Sequence, residues 1–280
     1  MPELPEVETI KLGLQKYLIG KRIEDVDVKV PKLFEGDPKN IIGGKVMEVR
    51  RFGKGLVIDL LNNYSLAIHI KLTGQLVYRD EKTRKISVSK KIGDSIPNKF
   101  THVIFRLDKG AFLYYNDRRR FGWIRVVKTD QVSEMPFFKN LGPEPFKDLT
   151  PELFAKILSR SGTAIKPLIM DQKRIGGIGN IYANDALNLA KINPKRPGKS
   201  LSAPEAKILF DAILKVMEKG FKYGGASELN FVNALGQEGK YQNHSRVYGK
   251  KGEKCPNCGG EIKKIVLGGR GTYFCEKCQK

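Results

Sequence analysis

Every cysteine of the chain falls in its last 26 residues, as Cys255-x2-Cys258-x16-Cys275-x2-Cys278. Two Cys-x2-Cys pairs so spaced can each grip one side of a tetrahedral ion through thiolates, a pattern that suits zinc. The stretch is too short to own a hydrophobic core, so the ion is what lets it fold. Four thiolates leave no open position, which gives one zinc per chain a structural and not a catalytic role. A disulfide framework would be spread over a small secreted domain, whereas the rest of this chain has no cysteine, so the setting reads as cytoplasmic. Between the two pairs, Gly268, Gly269, Arg270 and Gly271 mark the tip of a hairpin. Residues 250–280 carry eight Lys or Arg against three Asp or Glu, a net +5, so this hairpin suits DNA phosphates.

The excess of positive charge extends over the whole chain. Lys and Arg number 51 against 30 Asp and Glu, a net +21. A surplus of that size calls for a polyanionic partner, with nucleic acid first and an anionic membrane surface second. No long apolar run and no basic amphipathic anchor stand out, which argues against the membrane. At 280 residues the chain is expected to form more than one domain.

Along the chain, Val7, Ile10, Leu14, Tyr17 and Leu18 share one helical face over residues 5–19, with Pro5 in the first turn and Gly20 as the stop. From about 22 to 130 the pattern becomes short alternating runs such as "KVMEVRRF", "GLVIDLL" and "SLAIHIKLTG", punctuated by Gly, Asn and Asp turns. Many short strands at this spacing predict an antiparallel sandwich or barrel. Asp80–Lys99, polar and lysine-rich, reads as a mobile loop. A proline-spaced connector follows over 136–150, and then helical patterning in "PELFAKILSRS", "GNIYANDALNLAKI" and "APEAKILFDAILKVMEKGFKYG". The chain therefore divides into a sandwich domain over 1–135, a linker, a helical domain over 151–235 and the cysteine-rich domain over 236–280.

Four motifs in this order, "PELPEVE" at the start, "NDRRRFG", "GIGNIYANDAL" and the four-cysteine ribbon, make the chain similar to the bacterial formamidopyrimidine-DNA glycosylases. The resemblance covers essentially the whole length. It implies a multidomain α+β fold: an N-terminal β-sandwich with a leading helix, a helix–two-turn–helix domain and a C-terminal zinc-finger hairpin, with duplex DNA bound across the cleft between them by a monomer. It further implies removal of oxidised purines (8-oxoguanine, formamidopyrimidines), followed by strand cleavage by β,δ-elimination. In this family the initiator methionine is removed and the terminal proline attacks the sugar, which makes Pro2 the nucleophile. Glu3 is then the acid/base and Glu6 orients the terminal amine. Lys54 contacts phosphate beside the lesion and assists catalysis, and Arg270 completes the catalytic set from the hairpin tip. Asn180 holds a flanking phosphate, Lys166 a phosphate or the lesion, and His69 lies near the DNA. Arg119 reads the opposite cytosine, Phe121 wedges beside it and Leu72 fills the void left by the extruded nucleotide.

The chemistry is sound apart from the family. An α-amino group titrates at about 7.7–8.0 against about 10.4 for lysine, so near neutrality roughly a fifth is free amine. A secondary amine condensed with the sugar C1′ gives a cationic iminium, an electron sink for loss of the base and then of the flanking phosphates. Enzymes that act on a base within a duplex extrude it and plug the gap. Residue patterns alone also admit blander roles. Glu3 and Glu6 would complement the helix dipole, Lys54 would be a solvated strand-edge lysine, and Leu72, Phe121 and His69 would pack in a core.

The chain departs from the family at Leu72, where methionine is usual, and at Arg118, where proline is usual. It also departs in the lesion loop "GGASELNFVNALGQEG", where Ala226, Ser227 and Leu229 stand in place of a serine or threonine followed by arginine. Three other readings remain open at this point. They are an endonuclease VIII-like glycosylase for oxidised pyrimidines, a DNA-binding homologue without activity, and an RNA-associated zinc-ribbon protein.

Overall fold

A computed structural model describes all 280 residues. They form two compact units, residues 1–139 with 221–242, and residues 140–220 with 243–280.

The first unit opens with helix α1 (Leu4–Leu18). Its stripe of Val7, Ile10, Leu14 and Leu18 is buried to 1 % exposure or less, and Gly20 ends the helix region at a φ of +84°. Nine strands follow: β1 (Ile23–Val28), β2 (Phe34–Glu35), β3 (Val46–Phe52), β4 (Gly55–Leu60), β5 (Tyr64–His69), β6 (Gly74–Arg79), β7 (Thr101–Leu107), β8 (Ala111–Asp117) and β9 (Trp123–Lys128). They build two sheets, of order β1-β7-β8-β6 and β2-β9-β5-β4-β3, antiparallel except for the short β2–β9 pair. Leu76, Phe105 and Tyr115 from one sheet share a core with Leu56, Ile68 and Ile124 from the other and with the α1 stripe, which makes the expected sandwich. The alternation of the strands follows from this, since one face of each sheet meets the common core. A short helix α2 (Pro136–Lys139) closes this part of the unit.

Two expectations change. Residues 80–99 are ordered against the sheet and not free of it. Ile92 is 1 % exposed in a cluster with Val77 and Val232, so apolar residues scattered among the lysines pin the segment. The stretch from Phe221 to Gln242 belongs with the sandwich, because Phe231 and Ala234 insert into its core.

The second unit contains α3 (Pro151–Ser159), α4 (Ile165–Met170), α5 (Asn180–Leu189) and most of α6 (Ala203–Lys222). Thr150 caps α3 by accepting the Leu153 amide at 3.2 Å. The cysteine-rich tail folds as a hairpin of β10 (Lys263–Leu267) and β11 (Arg270–Phe274). Gly268 and Gly269 make its two-residue turn at φ of +58° and +70°, the left-handed pair that suits a tight hairpin. No helix of the chain is long and apolar enough to cross a membrane.

Candidate active site

Pro2 and Glu3 are buried immediately ahead of α1. Glu6, 1 % exposed, organises them. One of its oxygens accepts the Glu3 amide at 2.8 Å and the other accepts the Ala226 amide at 2.7 Å. A carboxylate in the first turn complements the helix dipole. Here it also fixes the backbone at Glu3 and fastens the helix start to a strip, residues 225–239, far along the chain. Gly225 makes the approach possible. At a φ of +82°, a β-carbon there would stand 2.9 Å from the Glu6 side chain.

Lys54 lies on the turn between β3 and β4 and is 4 % exposed, so it is not a solvated strand-edge lysine. The turn is held from α1. Arg51 pairs with Glu8 at 2.7 Å and donates to the Gly53 carbonyl at 3.0 Å. Burial pushes the Glu8 carboxyl upward, but hydrogen bonds from Lys11 and Arg51 outweigh it and hold it below the usual range. This brace was not legible in the sequence, because its partners are 43 residues apart.

Leu72 and the Arg119–Phe121 pair sit on two neighbouring turns, and one buried carboxylate joins them. Asp117, fully buried at the end of β8, accepts the Thr73 hydroxyl and the Arg119 amide (3.1 Å) on one oxygen. Its other oxygen takes the amides of Phe121 (2.9 Å) and Gly122 (2.8 Å). Arg120 adopts a φ of +55°, and the loop turns around that carboxylate. Arg119 is exposed, with its guanidinium 4.6 Å from the centre of the Phe121 ring. Phe121 is itself 53 % exposed, which excludes a core-packing role; Leu72 is half-buried. An exposed arginine on an exposed aromatic ring is a stacking surface for a planar partner. Asp117 stands inside the quoted "NDRRRFG" run, so its place beside Arg119 was the one signal available. At the usual proline position, Arg118 stacks on Phe100 at 4.5 Å.

His69 ends β5 inside a cluster of aromatic rings, 4.8 Å from Phe137 and 5.9 Å from Trp123. Its Nδ1 accepts the Lys71 amide at 2.9 Å. Burial, assisted by the charges of Lys71 and Lys54, lowers its pKa to about 3. His69 is therefore a neutral, packed histidine, with Nε2 carrying the proton.

In the second unit, Asn180 is the first residue of α5. Its carbonyl oxygen accepts the Asn184 side-chain amide at 2.6 Å, and Asn184 in turn accepts the Tyr273 amide at 2.7 Å. Lys166 is fully buried, with its ammonium on the Gly271 carbonyl (3.1 Å) and the Thr272 hydroxyl (2.8 Å). Where the resemblance gives Lys166 to a phosphate or the lesion, here it is turned into the hairpin, where a backbone carbonyl and a side-chain hydroxyl stand in place of water. Arg270 stays exposed at the hairpin tip. Asn180, Lys166 and Arg270 thus lie in the second unit with the four cysteines, and the other candidate residues lie in the first.

The four cysteine sulfurs lie within 4.8 Å of one another, with 3.7 Å between Cys255 and Cys278 and 3.5 Å between Cys258 and Cys275. A zinc ion with thiolates at about 2.3 Å requires tetrahedral edges of about 3.8 Å, so the residues fit that ion. Their surroundings supply hydrogen bonds to sulfur. Asn188 approaches Cys255 at 3.5 Å and helps hold that thiol at about 7 against its burial. The ribbon is joined to α5 by Asp185, which accepts the amides of Arg246, Val247 and Tyr248, and by the Asn188–Gln279 pair at 3.1 Å. Asn180, Asn184 and Asn188 recur every four residues, a polar stripe that could have marked this face of α5 from the sequence.

A helix-led sandwich and a helical body bearing a cysteine-clamped hairpin together make the architecture of a DNA-repair glycosylase. Residues 1–124 match the formamidopyrimidine-DNA glycosylase N-terminal domain, 141–231 its H2TH domain and 252–280 the zinc finger found in FPG and IleRS. The chain belongs to the formamidopyrimidine-DNA glycosylase family. It is 40% identical to the formamidopyrimidine-DNA glycosylase of Pelotomaculum thermopropionicum, covering 100% of this chain and 99% of the relative. It is 38% identical to that of Streptococcus thermophilus, over the full length of both. Among solved structures, the Lactococcus lactis Fpg complex with DNA containing N7-benzyl-Fapy-dG aligns over 100% of both chains with a TM-score of 0.88 and 35% identity. A complex of the same enzyme with DNA containing an abasic site aligns over 99% of both chains, with a TM-score of 0.88 and 34% identity. The protein is accordingly a DNA glycosylase with one structural zinc site, and DNA is its partner.

Proposed function

We propose that this chain removes oxidised purines from duplex DNA and then cleaves the strand at the resulting abasic site, acting as a cytoplasmic monomer through Pro2 once Met1 has been removed. With Met1 attached the Pro2 nitrogen is an amide and has no usable lone pair; its release makes a secondary amine. That amine bonds to the sugar C1′ as the C1′–base bond breaks, and the base leaves with the electron pair and takes up a proton. Glu3 is the proton carrier beside it. The C1′–O4′ bond then opens, the ring oxygen keeping the electron pair and taking a proton from Glu3, while the nitrogen sheds its own proton and its lone pair forms the cationic iminium. Loss of the acidified C2′ proton expels the 3′ phosphate, and loss of the C4′ proton expels the 5′ phosphate. Lys54, Arg270 and Asn180 hold the flanking phosphates, while Arg119, Phe121 and Leu72 occupy the space of the displaced nucleotide.

The observation that carries this reading is the double use of Glu6. A carboxylate that binds both the Glu3 amide and the Ala226 amide holds the chain start in one conformation, where a terminus is ordinarily frayed. The exposed Arg119–Phe121 stack supports the base-displacement step.

Borohydride reduction in the presence of an 8-oxoguanine duplex tests it. A covalent adduct mapped to Pro2 is the expected product; an adduct on a lysine, or none from material lacking Met1, refutes the mechanism. The same trapping run with oxidised-pyrimidine duplexes tests the endonuclease VIII-like alternative. One Lactococcus lactis Fpg structure contains oxidised-pyrimidine DNA, so this arm bears directly on substrate breadth. No adduct with any lesion would leave the DNA-binding homologue.

A further inference from the structure

We infer that Lys91 is a positioning residue that latches the lysine-rich segment 80–99 onto the 225–239 strip and so holds that strip ready for the extruded base. The inference rests on the proposed glycosylase reading, in which this strip receives the lesion.

Six cations lie between residues 80 and 99, and five of them (Lys82, Arg84, Lys85, Lys90 and Lys99) are exposed, as in any solvated charge run. Lys91 alone is drawn inward. Its ammonium donates to the Ser227 carbonyl and stands 2.9 Å from a Glu238 carboxylate oxygen. Ser89 doubles the attachment: its hydroxyl donates to the other Glu238 oxygen, and its amide donates to the Gly236 carbonyl at 2.8 Å. Beneath these bonds Ile92 packs on Val77 and Val232. The two segments meet so closely at Gly236, which has a φ of +78°, that a β-carbon there would fall 2.7 Å from Ile92.

The strip is therefore pinned at two feet. Residues 226 and 227 are held from one side by Glu6 on the Ala226 amide and from the other by Lys91 on the Ser227 carbonyl. Residues 236 and 238 are held by Ser89 and Lys91. Between the feet, Phe231 and Ala234 are set in the sandwich core and the Asn230 carbonyl accepts the Gln75 side-chain amide at 2.7 Å. The exposed span is therefore Glu228 and Leu229, Leu229 to 60 %, bounded on one side by the Lys91 foot at Ser227. Fixing the ends of a short exposed span removes conformations that it would otherwise lose on meeting a ligand, the usual source of gain from preorganisation. Because Lys91 acts on the strip and not on the sugar, it matters for substrates that still carry a base and not for an abasic site.

The experiment uses the full-length chain with Lys91→Met, Glu238→Gln and Lys91→Arg, under single-turnover conditions with enzyme in saturating excess. Loss of charge-assisted hydrogen bonds of this kind should slow excision of 8-oxoguanine and ring-opened purines about tenfold in Lys91→Met, less in Glu238→Gln, with Lys91→Arg near wild type. Cleavage of a preformed abasic site should change by less than about twofold, and amide exchange over 226–239 should accelerate without any DNA present. An equal loss on lesion and abasic substrates, or unchanged exchange over the strip, overturns the latch. Because exchange is read without substrate, a wild-type chain inactive on every duplex would refute the proposed function while the latch is still decided.

Discussion

Replacing Asp117 should release both turns that carry the base-displacing side chains. The carboxylate is fully buried and its two oxygens receive the Thr73 hydroxyl and the amides of Arg119, Phe121 and Gly122. In Asp117→Ala the Thr73 hydroxyl and the Phe121 and Gly122 amides lose their acceptor together, while the Arg119 amide keeps the Thr73 oxygen at 3.1 Å. A buried donor left unpaired costs about 1–3 kcal/mol, but the amide of the exposed Phe121 can regain water, so the expected loss is about 3–5 kcal/mol in total. Asp117→Asn keeps one oxygen. Directed at Phe121 and Gly122, it leaves the new NH2 facing Thr73, whose oxygen already accepts the Arg119 amide at 3.1 Å, so the Thr73 hydroxyl proton is the one donor that loses its acceptor. The expected loss is then about 1–2 kcal/mol. Urea unfolding followed by far-UV circular dichroism measures both variants, and affinity for a duplex with an abasic-site analogue opposite cytosine reads the consequence for Arg119. Equal destabilisation by Asn and Ala, or less than about 0.5 kcal/mol from Ala, would refute the view that one acceptor builds this loop.

Three further outcomes follow from other parts of the molecule. Chelation of zinc should expose the amides of residues 250–280 to exchange and weaken duplex binding while the first unit stays folded, since the tail's own cluster is little more than Val247, Ile262 and the cysteines; unchanged binding would remove the hairpin from the interface. His69 has a folded pKa of about 3 against an unfolded value of about 6.5, so the unfolded chain binds the extra proton and stability falls as pH drops below 6.5. Its share of the loss between pH 7 and pH 5 is about 2 kcal/mol, and His69→Asn, which keeps the acceptor for the Lys71 amide, should flatten that part of the pH profile. Lys166→Met should take the ammonium donor from the Gly271 carbonyl and the Thr272 oxygen, leaving the Thr272 hydroxyl only its bond to the Arg270 carbonyl at 3.1 Å, and loosen the hairpin. Duplex affinity should then fall, and the slope of log affinity against log salt should shrink by about one as Arg270 lets go; an unchanged slope would separate Lys166 from Arg270.

What could be read from the residue string were features with a local cause. The spacing of Val7, Ile10, Leu14 and Leu18 set helix α1, and Gly20 ended it, because helical periodicity and a left-handed stop need no distant partner. The alternation over 22–130 marked strands, and two Cys-x2-Cys pairs specified an ion and a hairpin before any fold was known. The ordered motifs pointed to the family.

Burial and pairing between distant residues could not be read that way. Lys91 looks like its five exposed neighbours, Lys54 like any strand-edge lysine, and Phe121 like a core residue, until the fold decides which of them meets water. Glu6 holds Ala226 across 220 positions, Arg51 meets Glu8 across 43, and Asp117, besides the amides of its own loop, takes the Thr73 hydroxyl from 44 positions away. Short-range order follows from the backbone and the pattern of apolar side chains, so the sequence by itself determined the elements and the metal clasp. The orientation of the charged and aromatic groups depends on which buried polar atoms find a partner, and only the tertiary structure decided that.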